Sequence, residues 1–136
     1  MENNNRIYWY YKKDKYWWNE YEFNILCSYL FRFGKINKID IINFKRLEFK
    51  EELLISLNTY IKKLLDDLID DCYEEPTQKM LSKYGPRYEK INYRNKIYRI
   101  NYRTDSTGII LYSMYHFSII LEQAYTEHES IIVSVV

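Results

Sequence analysis

The spacing of apolar residues along the chain predicts three long helices. Between residues 50 and 73, leucine and isoleucine recur at intervals of three and four, which is the pattern of an amphipathic helix. A second helix is predicted from about Lys15 to Phe33, with Gly34 as the residue that follows its end. A third is predicted from about 106 to 127. Its first sixteen residues carry no charge and are apolar all round, as expected for a buried helix.

Shorter runs rich in aromatic and β-branched residues predict strands. Residues 6–12 contain consecutive tyrosine, tryptophan and isoleucine, and residues 131–136 are mostly isoleucine and valine. The segment 35–49 fits either a short strand or a helical turn. Pro76 is expected to stop the helix that precedes it.

The middle of the chain predicts a β-hairpin at about residues 88–103. Tyr88–Tyr93 and Ile97–Arg103 are two strand-like runs joined by a turn that we place at Asn95 and Lys96. This register pairs Tyr93 with Tyr98 and Ile91 with Ile100 on one face.

These elements predict an α+β fold in which three main helices pack on a small, mostly antiparallel sheet with the hairpin at its centre. A chain of 136 residues, with 47% of them hydrophobic, has the size and composition of one domain. We therefore predict a single globular domain over residues 1–136. The apolar stretch 106–121 is shorter than the hydrocarbon thickness of a membrane, so we expect a core helix there.

The charges are strongly segregated although the net charge is only +1. Residues 51–75 contain eight acids and two lysines, whereas residues 76–103 contain eight bases and one glutamate. Like charges near a helix C-terminus are unfavourable, so the acidic run needs an opposite charge nearby. Either the basic segment folds back on the acidic one, or each meets a partner. The acidic patch is Asp66, Asp67, Asp70, Asp71, Glu74 and Glu75.

The sequence carries no strong catalytic motif. Three glycines leave no phosphate-binding loop, and two distant histidines form no compact metal motif. We expect no cofactor and no metal. His116 and the two cysteines, Cys27 and Cys72, are interpreted as core residues, which suits an intracellular, cytoplasmic protein.

Tyrosine is unusually frequent, with 16 copies. Tyrosine and arginine dominate protein interfaces, so we predict a partner-binding surface on the polar side of the hairpin. The candidate residues are Tyr84, Tyr88, Lys90, Asn92, Arg94, Arg99, Asn101 and Arg103.

Three functions follow as hypotheses. The leading one is a non-enzymatic binding protein that occupies a partner protein, such as an inhibitor or immunity-type factor of a phage or other mobile element. The alternative is nucleic-acid binding through the basic, tyrosine-rich hairpin 84–103. The third is a metal-dependent nuclease, because Asp40, Glu48 and Lys50 match a loose Asp…Glu-x-Lys spacing. A homodimer through the leucine stripe of the 50–73 helix is a further hypothesis.

Overall fold

The computed structural model describes residues 7–17, 20–39 and 46–135. Within these ranges the chain forms an α+β fold with four α-helices and six strands, as predicted in class. The helices are α1 (Glu20–Ile36), α2 (Glu52–Cys72), α3 (Gln78–Tyr84) and α4 (Ser106–Thr126). The strands are β1 (Ile7–Tyr11), β2 (Asp14–Trp17), β3 (Arg46–Phe49), β4 (Tyr88–Tyr93), β5 (Lys96–Asn101) and β6 (Ile131–Val135).

The fold divides into two compact units. The first contains residues 1–60 and 118–136, and the second contains residues 61–117. The boundaries therefore fall within α2 and α4. The single domain predicted from the sequence stays a prediction.

The first unit is built on an antiparallel sheet with the strand order β2-β1-β6-β3. Ile131 and Val133 on the central strand β6 are both buried. Ile131 lies between Tyr11 and Phe49 in the register, and Val133 lies opposite Trp9. One face of the sheet thus carries a continuous apolar row, which the period of two along a strand produces.

The start and end of α1 differ from the sequence prediction. Residues 14–17, expected to begin the helix, instead form β2, because a tight turn at Lys12 and Lys13 returns the chain along β1. Gly34 does not end the helix but lies within it. The end is formed by Lys38, which has φ 56, while the Ile39 N–H donates to Gly34 O at 2.7 Å. A lysine here adopts the left-handed conformation that usually favours glycine.

The second unit contains the predicted hairpin, now β4 and β5, as a separate two-stranded sheet. The turn lies at Arg94 and Asn95, one residue earlier than predicted. Both have positive φ, 52 and 60, as a type I′ turn requires. The predicted register was therefore wrong: Ile91 pairs with Tyr98, and Tyr93 pairs with Lys96. Because the shift is of two residues, the side chains within β4 and β5 stay on their predicted faces, whereas Arg94 falls in the turn and Arg103 after β5.

Helix α2 follows its predicted bounds closely, and its buried stripe is Leu54, Leu57, Ile61, Leu65 and Ile69. Helix α3 was not predicted. Thr77 begins it, because its side-chain oxygen accepts a hydrogen bond from the Met80 N–H at 3.2 Å. Threonine is a favoured N-cap residue, so Thr77 is the sequence signal that could have predicted a helix beginning at Gln78.

Helix α4 also follows its prediction, but it is not buried all round. Ile110, Leu111, Met114 and Phe117 are buried, whereas Ile119 is 41% exposed. Among the described residues, no helix combines the length and apolar character needed to span a membrane.

Candidate functional site

Most of the predicted binding residues lie together on the hairpin. Alternation along the strands puts Tyr88, Lys90, Asn92, Arg99 and Asn101 on one side, which we call the outer face. The remaining three are placed differently: Arg94 is in the turn, Arg103 follows β5, and Tyr84 ends α3.

Arg94 is held by the acidic end of α2. Its Nη2 donates to Asp70 Oδ1 at 2.7 Å and to the Tyr98 hydroxyl at 3.1 Å, and its Nη1 lies 3.7 Å from Asp66 Oδ1. The hydrogen bond from Arg94 lowers the pKa of Asp70, and the same bond raises the pKa of Arg94. The positive end of the turn is therefore neutralised within the chain.

Tyr93 forms a further hydrogen bond between the hairpin and α2. Its hydroxyl donates to Asp66 Oδ1 at 2.7 Å. Burial, reinforced by this hydrogen bond to a carboxylate, raises the pKa of Tyr93. The tyrosine and Arg94 together occupy Asp66 and Asp70, which lie one helical turn apart.

Arg99 is also paired with a carboxylate of the same chain. Its Nη1 donates to Glu75 Oε1 at 2.7 Å, while the Tyr73 hydroxyl donates to Glu75 Oε2 at 2.6 Å. The backbone N–H of Arg99 donates to the same hydroxyl at 3.0 Å. The hydrogen bond from Tyr73, with that from Arg99, lowers the pKa of Glu75, and burial raises the pKa of Tyr73 to about 12.

Of the two alternatives left open by the charge pattern, the folding back of the basic segment on the acidic one holds for three of the acids. Asp66, Asp70 and Glu75 pair with the basic segment. Within the described ranges, no ion pair or hydrogen bond joins the carboxylates of Asp67, Asp71 and Glu74 to another residue, and the same holds for the ammonium group of Lys90. The neutralisation of the basic segment is thus partial, because Arg94 and Arg99 account for it.

Three other cations lie against tyrosine rings at the open end of the hairpin. Lys83 and Arg87 are 5.2 Å and 4.9 Å from the ring centre of Tyr84, and Arg103 is 5.2 Å from that of Tyr102. The Tyr102 N–H donates to Arg87 O at 3.2 Å, which joins these two groups. We call Lys83, Tyr84, Arg87, Tyr102 and Arg103 the open-end cluster.

His116 is not the core histidine that the sequence predicted. It is exposed on α4, with its ring 4.3 Å from Tyr112 and 5.4 Å from Tyr115 between ring centres. Partial burial by such neighbours lowers the pKa of His116. Burial also raises the pKa of Tyr112 to about 12, and the Tyr112 ring stacks on Tyr102 at 5.0 Å. The mostly apolar residues around position 116 gave no sign that it faces outward.

A cavity of about 380 Å³ lies beside the outer face within the second unit. Three predicted binding residues line it, namely Tyr88, Arg99 and Asn101, together with Glu74 of the acidic patch. Cys72 also lines it and is exposed, so the prediction of a core cysteine was wrong there. The side chain of Cys27 lies outside the described residues. The other lining residues are Tyr73, Met80, Ile100, Asp105, Thr107, Gly108 and Leu111.

The nuclease pattern is placed only in part. Asp40 lies outside the described residues. Glu48 is in β3 and lines a depression of about 220 Å³ with Lys50, His128 and Glu129. Across the described ranges, no three His, Cys, Asp or Glu side chains are grouped so that they could hold a metal ion.

Comparison with known proteins adds no relative from which a role could be carried over. No protein family model matches the chain, and no curated protein or solved structure gives a significant match. The class that the structure defines is thus the α+β fold itself, and the function has to be argued from the surface and the cavity.

Proposed function

We propose that this chain is a non-enzymatic binding protein that acts by occupying a partner protein, as an inhibitor or immunity-type factor of a phage or other mobile element does. The observation that carries the proposal is the open-end cluster, whose cations form no ion pair with any described residue and lie against tyrosine rings. The exposed free thiol of Cys72 favours an intracellular role.

The arrangement of this cluster suits recognition of an acidic protein surface. A cation over an aromatic ring at an exposed site gains about 0.5–1 kcal/mol, which orders the long side chain before it meets a partner. Binding then loses less side-chain entropy. Arginine and tyrosine are also the residues that most often supply the large energies at interfaces.

Lys90 extends the same positive surface along β4. It is exposed and lies opposite Arg99 in the register. Because Glu75 holds Arg99, Lys90 is the charge on the outer face that is available to a partner. The unpaired Asp67 and Asp71 on α2 supply the opposite charge, which would orient the partner during encounter.

A charge-reversal experiment tests this function. The chain is immobilised and exposed to a lysate of its source cells, as wild type, as the double variant Arg87→Glu with Lys90→Glu, and as Lys63→Glu. Lys63 is an exposed lysine on α2 and serves as the matched control. We expect one protein at equal stoichiometry with the wild type and with Lys63→Glu. The double variant should bind it about a hundredfold more weakly or worse, because like charges oppose each other across the interface.

Binding of single-stranded nucleic acid is the second candidate, since tyrosines beside free cations are also suited to stacked bases and phosphates. If the wild type retains no protein but binds an oligonucleotide, and its log K falls steeply with log[salt], this candidate replaces the first. Lys90→Ala should then reduce the salt slope, whereas Arg99→Ala should change it less because Glu75 already neutralises Arg99. A chain that binds neither class overturns both.

A further inference from the structure

The walls of the 380 Å³ cavity are about as polar as they are apolar. Ile100 and Leu111 are each only 1% exposed and form its inner side, while Met80 on α3 is 42% exposed. Tyr73 and Tyr88 also line it. A volume near the lower end of the roughly 300–1,000 Å³ range of ligand pockets suits one long side chain better than a nucleotide.

The polar groups of the cavity leave it with excess negative charge. The guanidinium of Arg99 is balanced by Glu75. The start of α4 and the end of α2 both contribute, and their opposite helix-end charges offset each other. Glu74 and Asp105 remain, and in the described part of the chain neither carboxylate takes part in an ion pair or hydrogen bond.

We infer that this cavity is an anchor site for an arginine or lysine side chain of the partner protein. The alkyl stem packs against Met80 and Leu111, and the cationic head lies beside the carboxylates of Glu74 and Asp105. A side chain of this kind buries an apolar stem and keeps a charged tip, which matches the two kinds of lining. The inference rests on the proposed function and adds the chemistry of the residue that the partner presents.

Methionine methyl NMR can test the site with a small probe, n-butylguanidinium. Met80 lines the cavity, and Met114 is fully buried outside its lining, so the two methyl signals give a reporter and an internal control. We expect the Met80 signal to shift saturably with a dissociation constant in the millimolar range while Met114 stays fixed. Titrations with n-butanol and with sodium butyrate at matched ionic strength serve as comparisons.

Substitutions of exposed acidic residues test which carboxylates bind the guanidinium group of the probe. Glu74→Gln and Asp105→Asn should each weaken butylguanidinium binding by about two- to tenfold, as expected for a partly exposed charge pair. Asp67→Asn and Asp71→Asn are the matched controls, because these acids are exposed and unpaired but do not line the cavity. They should bind the probe as the wild type does.

Three results would overturn the inference: an equal Met80 shift with n-butanol, a larger shift with butyrate, or no shift with any probe. The first indicates a purely apolar pocket and the second an anion site. Failure here is distinct from failure of the proposed function. If the double variant Glu74→Gln with Asp105→Asn still captures the partner, only the anchor-site inference is rejected. If the probe shifts the Met80 signal but no protein is captured, the proposed function is rejected.

Discussion

The two faces of the hairpin differ in what holds them. On the inner face, Ile91, Tyr98 and Ile100 are each at most 4% exposed, so burial fixes their position. On the outer face, Ile97 is 53% exposed and Lys90 is exposed, while Arg99 is held by one ion pair. Apolar alternation thus decides which side of the hairpin is covered, whereas nearby opposite charges decide which of its outward cations remain available to a partner.

The sharpest test of this difference uses one isoleucine from each face. Ile91→Ala should lower the free energy of unfolding by about 2–5 kcal/mol, because it leaves a cavity among buried side chains. Ile97→Ala should change it by no more than about 0.5 kcal/mol. Urea denaturation followed by circular dichroism measures both. Equal losses would mean that the inner face is not the covered one.

A second test asks how closely α4 lies against the end of β5. A Cβ added at Gly108 would lie 2.0 Å from the Asn101 carbonyl oxygen, which is backbone and cannot rotate away. Gly108→Ala should therefore cost about 1–3 kcal/mol, although alanine favours a helix more than glycine does.

Gly85→Ala is the control for this substitution. A Cβ at Gly85 meets nothing within 4 Å, and the residue has φ −46, which any amino acid adopts. We expect stability to change by less than about 1 kcal/mol, because alanine restricts the unfolded chain while Pro86 disfavours the helical backbone conformation of a non-glycine residue before it. Thermal unfolding of the two variants measures both effects. If Gly108→Ala lowered the stability no more than Gly85→Ala does, the close contact between α4 and Asn101 would be contradicted.

The smallest expected effect concerns the ion pair on the outer face. The pKa of Glu75 is lowered in the folded state by its hydrogen bonds to Tyr73 and Arg99. Glu75 therefore contributes stability above its unfolded pKa of about 4.3, and this contribution disappears as the pH falls through the lower, folded pKa. At pH 7, Glu75→Gln should lower the urea midpoint slightly, and the difference from the wild type should vanish in acid.

Asp71→Asn provides the opposite sign. Asp71 has no ion pair among the described residues and lies near the C-terminus of α2, where a negative charge is unfavourable. Its removal should raise the urea midpoint at pH 7 slightly. If Glu75→Gln also raised the urea midpoint, this would contradict the ion pair between Arg99 and Glu75. Arg99 would then count among the cations that are available to a partner.

The sequence predicted the helices and strands better than it predicted which residues pack against them. The bounds of α2, the hairpin, and the strand character of β1 and β6 follow from local periodicity. The turn was placed one residue late because both Asn95-Lys96 and Arg94-Asn95 contain the asparagine that tolerates positive φ. The choice between them depends on cross-strand packing, which a single strand does not encode.

The candidate site shows the same division. Clustered acids and bases near positions 66–75 and 87–103 left open whether the charges would meet, and did not show that Arg94 would pair with Asp70 and Arg99 with Glu75. Pairing of that kind depends on side chains more than 20 residues apart in the chain. His116 was misplaced because the residues beside it in α4 are mostly apolar, and Cys72 because it was assigned to the apolar stripe of α2, although the structure leaves it exposed.

The α+β class, the positions of the long helices and strands, and the apolar face of the hairpin could all be predicted from the amino-acid pattern, because each follows from spacing within one segment. The register of the hairpin, the presence of α3 at the cavity, and the choice of which cations and carboxylates form ion pairs depend instead on how distant segments pack together. Those properties are set by what lies opposite each side chain, and that neighbour comes from a distant part of the chain.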